Sequence, residues 1–303
     1  MIASRRTIDR EEVASHYDEL DLFYRDVWGE HVHHGLWRRG DESREEAVLA
    51  LTNLVAQRAG LPLQVHASAS RDSAAPISGD TRGQVFPRVI DIGCGYGATA
   101  RWLAARGAQV TGITVSPAQG AVAAAHAPNE SSPTFLVGDW LENRLPAGSF
   151  DAAIAIESSE HMADKARFFS QATRVLRPGG RLVICAWLAA ESPRATAKRW
   201  LLEPICREGR MPHLGSATEY KALAEEAGFA QENFEDVTRC VARTWPAIVR
   251  RLVAKFATEP HYLRFLFSTH AKNRVFVLTI LRIWLAYSVG AMRYGIFSFV
   301  KAS

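Results

Sequence analysis

The stretch VIDIGCGYGATARWLA, from Val89 to Ala104, combines three patterns that together decide the fold. A short apolar run ends near Asp91, glycines then alternate at Gly93, Gly95 and Gly97, and a helical pattern follows. Glycine adopts positive φ readily and lets the backbone approach another group closely. The stretch therefore predicts a buried strand, a tight turn that faces a ligand, and a helix.

The segments after this turn continue the alternation of strands and helices. Residues 164–176 carry apolar side chains at helical spacing. Such alternation is typical of a parallel sheet that helices cover on both faces. We therefore predict an α/β fold with a doubly wound, Rossmann-like, seven-stranded sheet. The predicted strands are RVIDI (88–92), AQVTGI (108–113), TFLVG (134–138), FDAAIAI (150–156), GRLVICAW (180–187), a segment at 234–240 and YGIFSFV (294–300).

The patterns on either side of this core predict four parts. Residues 1–63 have helical spacing and are expected to form an N-terminal helical cover. Residues 64–87 are rich in Ser, Ala and Gly and predict a flexible linker or insertion. Residues 88–190 form the predicted ligand-binding core, and residues 191–303 a C-terminal helical lid with the strands that complete the sheet.

Basic residues are concentrated near the C-terminus, although the formal net charge is only +4. From Arg239 to Lys301 there are eleven Lys or Arg and a single acid, Glu259. These side chains could simply solvate helices, or they could attract an anionic substrate or anionic lipid. Within this region, Thr244–Thr258 is amphipathic and predicts either a lid over an apolar pocket or a membrane-surface helix. We favour the lid, with Ile248, Val249, Leu252, Val253 and Phe256 on its apolar face.

The most apolar segment, residues 274–301, does not predict a membrane span. Arg282 and Arg293 interrupt it, so no uncharged run reaches the ~18 residues that a span needs. The four cysteines show no CxxC spacing and predict reduced thiols. The N-terminus lacks the apolar region of a signal peptide. We therefore predict a cytoplasmic protein that could also lie at a membrane surface.

Two classes of cofactor compete for the glycine turn. GCGYGA (residues 93–98) fits the dinucleotide pattern G-x-G-x-x-G/A, but that match alone is weak. A carboxylate at Asp91 would repel a pyrophosphate, and no acid follows between Ile92 and Asn129 to hold a ribose as in NAD sites. S-adenosylmethionine has no phosphate and carries positive charges, so Asp91 would favour it. The sequence therefore favours S-adenosylmethionine over a dinucleotide.

Several motifs then occur in a characteristic order, which the sequence shares with a known family. After VIDIGCGYG come VTGITVSPAQ, LVGDW, AIESSEHMADK and LRPGGRLVICAW. This order resembles the class I S-adenosylmethionine-dependent methyltransferases. WGEHVHHGLW (residues 28–37), LLEPIC and RYGIF make the chain similar to the gamma-tocopherol methyltransferase branch, which is related to the cyclopropane fatty acid synthases. The resemblance implies an enzyme that converts S-adenosylmethionine to S-adenosylhomocysteine.

The resemblance also implies a set of cofactor-binding residues. Asp91 and the glycines would hold the methionine side, and Thr114 with Gln119 would bind the ribose in place of the acid of most class I enzymes. Asp139 would bind the adenine. Trp140 would offer a backbone donor or a ring contact, or would be an ordinary core aromatic. The full predicted set is Tyr17, Trp37, Asp91, Gly93, Cys94, Gly95, Gly97, Thr114, Val115, Gln119, Gly138, Asp139, Trp140 and Glu157.

The predicted catalytic residues are Glu157, Glu160 and His161 in IESSEHM. By the resemblance, Glu157 lies against the cofactor and the other two face the acceptor. Glu160 or His161 could be a general base, which typically contributes 10²–10⁴-fold, or both could only fix the loop. EHVHHG (residues 30–35) also suggests a metal site. The resemblance argues against a metal, so we expect this segment to cross the cofactor mouth, with aromatic rings near the sulfonium.

The expected acceptor is small and hydrophobic, for example phenolic, quinol-like or prenylated, and it could carry negative charge. Methylation of oxygen or carbon is favoured over nitrogen. The alternatives are a cyclopropane-type or other lipid-modifying enzyme of the same lineage, and a non-catalytic binding module. No nucleic acid partner or metal is expected. Peripheral contact with an anionic membrane stays open, as does the choice between monomer and homodimer.

Overall fold

The structure is a computed structural model that describes residues 1–4, 6–61, 86–127, 133–259 and 276–302. Most of the predicted linker, 64–87, lies outside the described residues, and the division of the chain into four parts stays a prediction. The strands are β1 (Ile2–Ala3), β2 (Arg88–Ile92), β3 (Gln109–Thr114), β4 (Thr134–Val137), β5 (Phe150–Ile156), β6 (Leu176–Ala189), β7 (His213–Leu214), β8 (Phe229–Asp236) and β9 (Met292–Lys301).

The helices cover both faces of the central sheet and its carboxyl edge. Two short 3₁₀ turns, Trp140–Glu142 and Ser159–His161, follow β4 and β5, and a π-helical turn, Lys198–Leu202, joins α7 to α8. The α-helices are α1 (Arg10–Glu19), α2 (Asp21–Val27), α3 (Arg44–Arg58), α4 (Ala98–Ala104), α5 (Pro117–Ala125), α6 (Lys165–Val175), α7 (Ala195–Ala197), α8 (Glu203–Glu208), α9 (Ala217–Glu226), α10 (Thr238–Val241), α11 (Thr244–Thr258) and α12 (Phe276–Ser288).

Seven strands form one sheet in the order β4-β3-β2-β5-β6-β9-β8. The pairs from β4 to β6 are parallel, and β9 runs antiparallel to both β6 and β8. β1 and β7 form a separate two-stranded sheet. The predicted doubly wound, Rossmann-like α/β sheet of seven strands is therefore confirmed.

Alternating residues of the central strands pack into two cores, one on each face. In β5, Ala152 and Ile154 belong to one apolar cluster, while Ala153 and Ala155 belong to the other. This two-residue period is what a strand buried on both faces requires. Because both faces are closed by helices, the carboxyl edge of the parallel strands is the place where a ligand can enter.

Two details of the predicted C-terminal part were wrong. The segment 234–240 was predicted as a strand, but β8 begins at Phe229 and ends at Asp236. The Asp236 carboxylate accepts a 2.9 Å hydrogen bond from the Thr238 amide and turns the chain into α10. On α11, Ile248 and Leu252 are buried as predicted, but Val253 is 61% exposed. Within the described ranges, no helix has the length and apolar character needed to cross a bilayer.

Candidate active site

The predicted glycine turn joins β2 to α4, and Gly93, Gly95 and Gly97 all have positive φ. A Cβ atom on Gly93 would lie 2.3 Å from the Cβ of Ser158, and one on Gly97 would lie 2.4 Å from the ring of Phe135. A real Cβ cannot approach that closely, so packing within the protein requires both of these glycines.

Gly95 differs from its two neighbours because the space beside it is open. A Cβ there would meet only the Nε2 of Gln119, at 4.0 Å, among the described atoms. Gly95 lines a cavity of about 550 Å³ at the carboxyl ends of β2, β3 and β5, which we call the first cavity. Gly95 is therefore the point at which a ligand can approach the backbone of the turn.

The first cavity brings together most of the predicted cofactor residues. Asp91 and Cys94 instead line a smaller cavity of about 40 Å³ that shares Gly93 and Gly95 with the first. Gly97 and Trp37 are not among the residues that line either cavity. The predicted residues that line the first cavity are Tyr17, Gly93, Gly95, Thr114, Val115, Gln119, Gly138, Asp139, Trp140, Glu157 and His161.

Asp91 is buried without a full set of partners. Its side chain is 3% exposed, and its Oδ2 has no hydrogen-bond partner among the described residues. Burial raises the pKa of Asp91 to about 7. An unpartnered buried carboxylate is costly, so a cationic group placed beside it would be strongly favoured.

The predicted ribose and adenine residues are held in place by local hydrogen bonds. The Thr114 hydroxyl donates to the Oε1 of Gln119 at 3.1 Å. The Asp139 Oδ1 accepts from the Leu141 amide at 2.8 Å and caps the turn that follows β4. The indole N–H of Trp140 donates to the Phe168 carbonyl at 3.2 Å. Trp140 is therefore both a core aromatic and a wall of the cavity, with its side-chain donor already used.

Glu157 is a carboxylate surrounded by donors from distant segments. It follows β5 with a φ of 53°, an uncommon conformation for a residue with a side chain. Its oxygens accept from the amide and Nδ1 of His34, from the indole of Trp187 at 2.8 Å and from the hydroxyl of Tyr294 at 2.7 Å. Burial alone would raise the pKa of Glu157, but His34 outweighs it and holds the pKa at about 2. Glu157 is therefore a fixed negative charge and a weak base.

The Glu160 carboxylate is more deeply buried than that of Glu157 and accepts fewer hydrogen bonds. Its Oε1 accepts from the Trp187 amide, and its Oε2 accepts from the Ser159 hydroxyl at 3.2 Å. The buried Lys165 ammonium lies close by and donates to the Met162 carbonyl at 2.8 Å. Burial raises the pKa of Glu160 to about 7. Glu160 does not line the first cavity.

His161 is part of a hydrogen-bond chain whose direction can be deduced. Its Nδ1 lies 3.0 Å from the carbonyl oxygen of Arg210, which can only accept, so Nδ1 carries the proton. Its Nε2, 2.9 Å from the Tyr17 hydroxyl, must then accept from that hydroxyl. Burial lowers the pKa of His161 to about 4 and keeps the ring neutral. Arg210 has a φ of 54°, so a strained backbone aims this carbonyl at the ring.

A second cavity of about 50 Å³ adjoins the first and is mostly apolar. Four residues line both cavities, and we call them the junction: Tyr17, Val32, Glu157 and His161. The remaining wall of the second cavity comes from segments far apart in the chain. It consists of Tyr24, Trp28, Glu160, Trp187, Ile205, Gly209, Met211, Trp245 and Ile283.

The segment 28–37 contributes differently from what the sequence suggests. The Trp37 indole donates to the Glu42 carbonyl at 3.1 Å, so the structure does not bring it to the cofactor residues. His31 Nδ1 lies 3.2 Å from His33 Nε2, and His34 is bound to Glu157. Trp28, Trp187 and Trp245, none of them predicted as site residues, supply the aromatic walls instead.

A doubly wound sheet with a glycine turn, an unpartnered acid beside it and a cavity at the carboxyl edge defines the class I methyltransferase fold. A family profile described as "Methyltransferase domain" matches residues 90–184. The probable tocopherol O-methyltransferase of Oryza sativa subsp. japonica is 32% identical over 251 residues, covering 80% of this chain and 66% of the rice protein. The 2-methyl-6-phytyl-1,4-hydroquinone methyltransferase of Synechocystis is 30% identical over 315 residues, covering 99% and 91%.

Among solved structures, the fold is similar to that of a cyclopropane synthase from Mycobacterium tuberculosis. The TM-score is 0.78 at 20% identity, covering 98% of this chain and 100% of the other. The chain belongs to the S-adenosylmethionine-dependent methyltransferases, within their gamma-tocopherol methyltransferase-like branch. It is an enzyme, and its cofactor is S-adenosylmethionine.

The described residues fit this cofactor. The unpartnered Oδ2 of Asp91 suits an ammonium group, and the open backbone at Gly95 suits close approach of the cofactor. A pyrophosphate would meet the Asp91 carboxylate instead. The predicted preference for S-adenosylmethionine over a dinucleotide is confirmed.

Proposed function

We propose that this enzyme methylates a hydroxyl group of a small, largely apolar and uncharged acceptor whose reacting end lies at the junction, against the walls of the second cavity. The walls of that cavity are aromatic and aliphatic, with Trp28, Trp187, Trp245 and Ile283 among them. Such walls bind rings and hydrocarbon tails. The names of the rice and Synechocystis relatives, a tocopherol and a hydroquinone methyltransferase, support an acceptor of this class.

The charge of the junction favours a neutral acceptor over an anionic one. Glu157 stays ionised because its pKa is about 2. Burial and the charges of Glu157 and Glu160 raise the pKa of Tyr17 well above its usual value. A phenolic acceptor beside Tyr17 would be affected in the same way and would arrive protonated. Its proton therefore has to leave during the reaction.

The hydrogen-bond chain from Tyr17 through His161 to Arg210 is the single observation that carries the proposal. It supplies a proton acceptor at the junction, where the two cavities meet. The acceptor proton would pass to the Tyr17 oxygen as the Tyr17 proton passes to His161 Nε2. The low pKa of His161 is sufficient, because a hydroxyl becomes strongly acidic as its oxygen is alkylated, and geometry takes precedence over pKa in choosing a base.

The cofactor would be held by residues of the first cavity and of the smaller cavity beside Asp91. Asp91 would face its ammonium group, Thr114 and Gln119 its ribose, and Asp139 its adenine. When bound, it supplies a methyl group on a positively charged sulfur. The acceptor oxygen would take that methyl group as the carbon–sulfur bond breaks, and S-adenosylhomocysteine would be left. Alignment of the two cavities at the junction supplies the orientation that such a displacement needs.

Methylation of a ring carbon is the second candidate. The Synechocystis relative covers nearly the whole chain, and a hydroquinone ring offers carbon as well as oxygen to the methyl group. The same chain of Tyr17 and His161 would then remove a proton from the hydroxyl, which makes the ring carbon more nucleophilic. A cyclopropane-type reaction is supported by similarity of fold alone.

The proposal is tested with the purified full chain and a matched set of acceptors. A hydroquinone with an isoprenoid tail, its diphosphorylated analogue and its dimethyl ether differ only at the reacting end. We expect release of S-adenosylhomocysteine with the free hydroquinone alone, and a product whose NMR spectrum shows an O-methyl group. A new aryl-methyl signal would establish the second candidate. Turnover of a lipid alkene with no reaction of any hydroquinone would refute both.

The pKa of Asp91 predicts how cofactor affinity depends on pH. Because that pKa is about 7, the carboxyl is protonated at lower pH, and binding of an ammonium group must then expel the proton. We expect the affinity for S-adenosylhomocysteine to fall about tenfold from pH 7 to pH 5.5. His31, with a pKa of about 3, and His161, with a pKa of about 4, do not titrate in this range.

Titration calorimetry at several pH values measures this dependence, and Asp91→Asn is the control. The variant should bind more weakly and lose most of the dependence on pH, because Glu160, whose pKa is also about 7, does not line the first cavity. A flat profile for the unmodified enzyme would show that Asp91 does not face the ammonium group.

A further inference from the structure

Helix α12 has one face in the core and one apolar face in solvent. Ile280, Ile283, Ala286 and Tyr287 are buried on the inner side. The outer side and the residue that follows the helix expose large apolar side chains, each between 44% and 57% exposed: Leu278, Leu281, Trp284, Leu285 and Val289. Scattered exposed apolar residues are ordinary, but a continuous stripe of this size marks an interaction site.

Two neighbouring elements extend this stripe. Val253 is 61% exposed on α11, which packs against α12. Trp200 is 64% exposed on the π-helical turn, which also packs against α12. The Arg199 guanidinium lies 5.1 Å from the centre of the Trp200 ring. We call Val253, Trp200 and the exposed side of α12 together the outer face.

The surroundings of the outer face are basic. Arg250 on α11, Lys198 and Arg199 on the π-helical turn, and Arg293 after α12 are all exposed. Neither α11 nor α12 contains an acidic residue. Arg282 of α12 does not belong to this basic surface. It forms an ion pair with the buried Glu208 of α8 and so holds α12 against α8.

We propose that the outer face docks on the surface of an anionic lipid bilayer. Exposed Leu and Trp side chains beside Arg and Lys are the combination that interfacial helices use, with apolar groups among the acyl chains and cations at the headgroups. A second copy of the chain fits less well, because a symmetric dimer on this face would place the basic residues of both copies close together, and they would repel each other. The proposal rests on the exposed surface alone and does not depend on the proposed acceptor.

The position of α12 relates this face to the second cavity. Ile283, on the inner side of the helix, lines that cavity. A docked bilayer would therefore lie across one helix from the acceptor site. An acceptor with a hydrocarbon tail partitions into lipid, so docking would place the enzyme where its acceptor is concentrated.

Flotation of the full chain with extruded vesicles tests the proposal. We expect binding to vesicles of phosphatidylcholine with 30% phosphatidylglycerol, about tenfold weaker binding in high salt, and weak binding to phosphatidylcholine alone. Leu285→Ser should weaken partitioning about tenfold. The double variant Arg199→Ala, Arg250→Ala should weaken it about tenfold or more, and mainly at low salt.

Leu49→Ser is the matched control, since Leu49 is 41% exposed on α3, away from the outer face, and the substitution is the same. Calorimetry with S-adenosylhomocysteine confirms that each variant is folded. Absence of vesicle binding at low salt, or equal partitioning of Leu285→Ser and Leu49→Ser, would overturn the proposal. So would light scattering that shows a dimer that Leu285→Ser dissociates, because the outer face would then join two copies.

Discussion

Replacing His161 with Asn is expected to lower kcat by about 10²–10⁴-fold while leaving the affinity for S-adenosylhomocysteine within about twofold. The amide of Asn can still donate to the Arg210 carbonyl, as His161 Nδ1 does at 3.0 Å, so the loop keeps its anchor. The nitrogen that accepts from Tyr17 is lost. The variant therefore separates proton transfer from loop geometry, which were the two roles left open by the sequence.

Helix α1, which carries Tyr17, also provides a control for the loss of a buried His–Tyr hydrogen bond. His16 Nε2 lies 3.1 Å from the Tyr24 hydroxyl, and both rings are buried, but His16 lines neither cavity. His16→Asn should cost stability and change kcat by no more than a few fold. Tyr17→Phe should lower kcat less than His161→Asn does, because the acceptor hydroxyl could then reach the ring directly or through water.

Initial-rate kinetics over a range of hydroquinone concentrations, up to saturation, measures these differences as kcat and KM separately. If His161→Asn keeps more than a tenth of kcat, the base lies elsewhere. Glu160 would then be the remaining candidate, since burial raises its pKa to about 7 and brings it near the working pH of an enzyme. Glu160→Gln would decide that case.

The sequence predicted the central sheet well because its signals are local. The strands RVIDI and FDAAIAI appear with the predicted bounds, as β2 and β5. Each motif residue lies at or shortly after the carboxyl end of a strand, so topology places it at the carboxyl edge, and the resemblance to the methyltransferases implied its role. Topology and the resemblance together therefore predicted Asp91, Gly95 and His161 as site residues.

The second cavity could not be predicted in this way. Trp28, Trp187 and Ile283 meet in one wall although they lie far apart in the chain, and no local pattern relates them. Tyr294, which donates to Glu157, belongs to β9, whose antiparallel insertion beside β6 is a long-range event. His34 did stand out in EHVHHG, but the sequence could not distinguish a metal ligand from a partner of Glu157.

Local sequence patterns also could not predict the backbone conformation at Arg210 or the direction of the Trp37 side chain. Arg210 reads as an ordinary surface residue, yet its positive φ directs the carbonyl that fixes the tautomer of His161. Trp37 was predicted from its place among aromatic residues, and its indole instead turns to the Glu42 carbonyl.

Gly95→Ala is expected to weaken S-adenosylhomocysteine binding about 100-fold without unfolding the enzyme. Among the described residues beyond its two chain neighbours, no atom lies closer than 4.0 Å to a methyl group at this position, so the substituent occupies ligand space. Inserting a methyl group into a filled site typically costs ~1–3 kcal/mol, and the upper part of that range corresponds to about 100-fold. Gly93→Ala would not be informative, because its clash with Ser158 would disturb the loop itself.

Gly95 has a φ of 53°, so alanine at this position also strains the backbone by ~1–2 kcal/mol, and this strain must be separated from the effect on binding. Gly148 provides the matched control, since its φ is 62° and a Cβ there meets no atom of the described part of the chain within 4 Å. Gly148→Ala carries the same strain far from either cavity. Both variants should lose similar free energy of unfolding in urea, and calorimetry should show weaker binding for Gly95→Ala alone. Equal binding by the two variants would mean that the cofactor does not approach the turn at Gly95, and the placement of the methyl donor in the first cavity would fail with it.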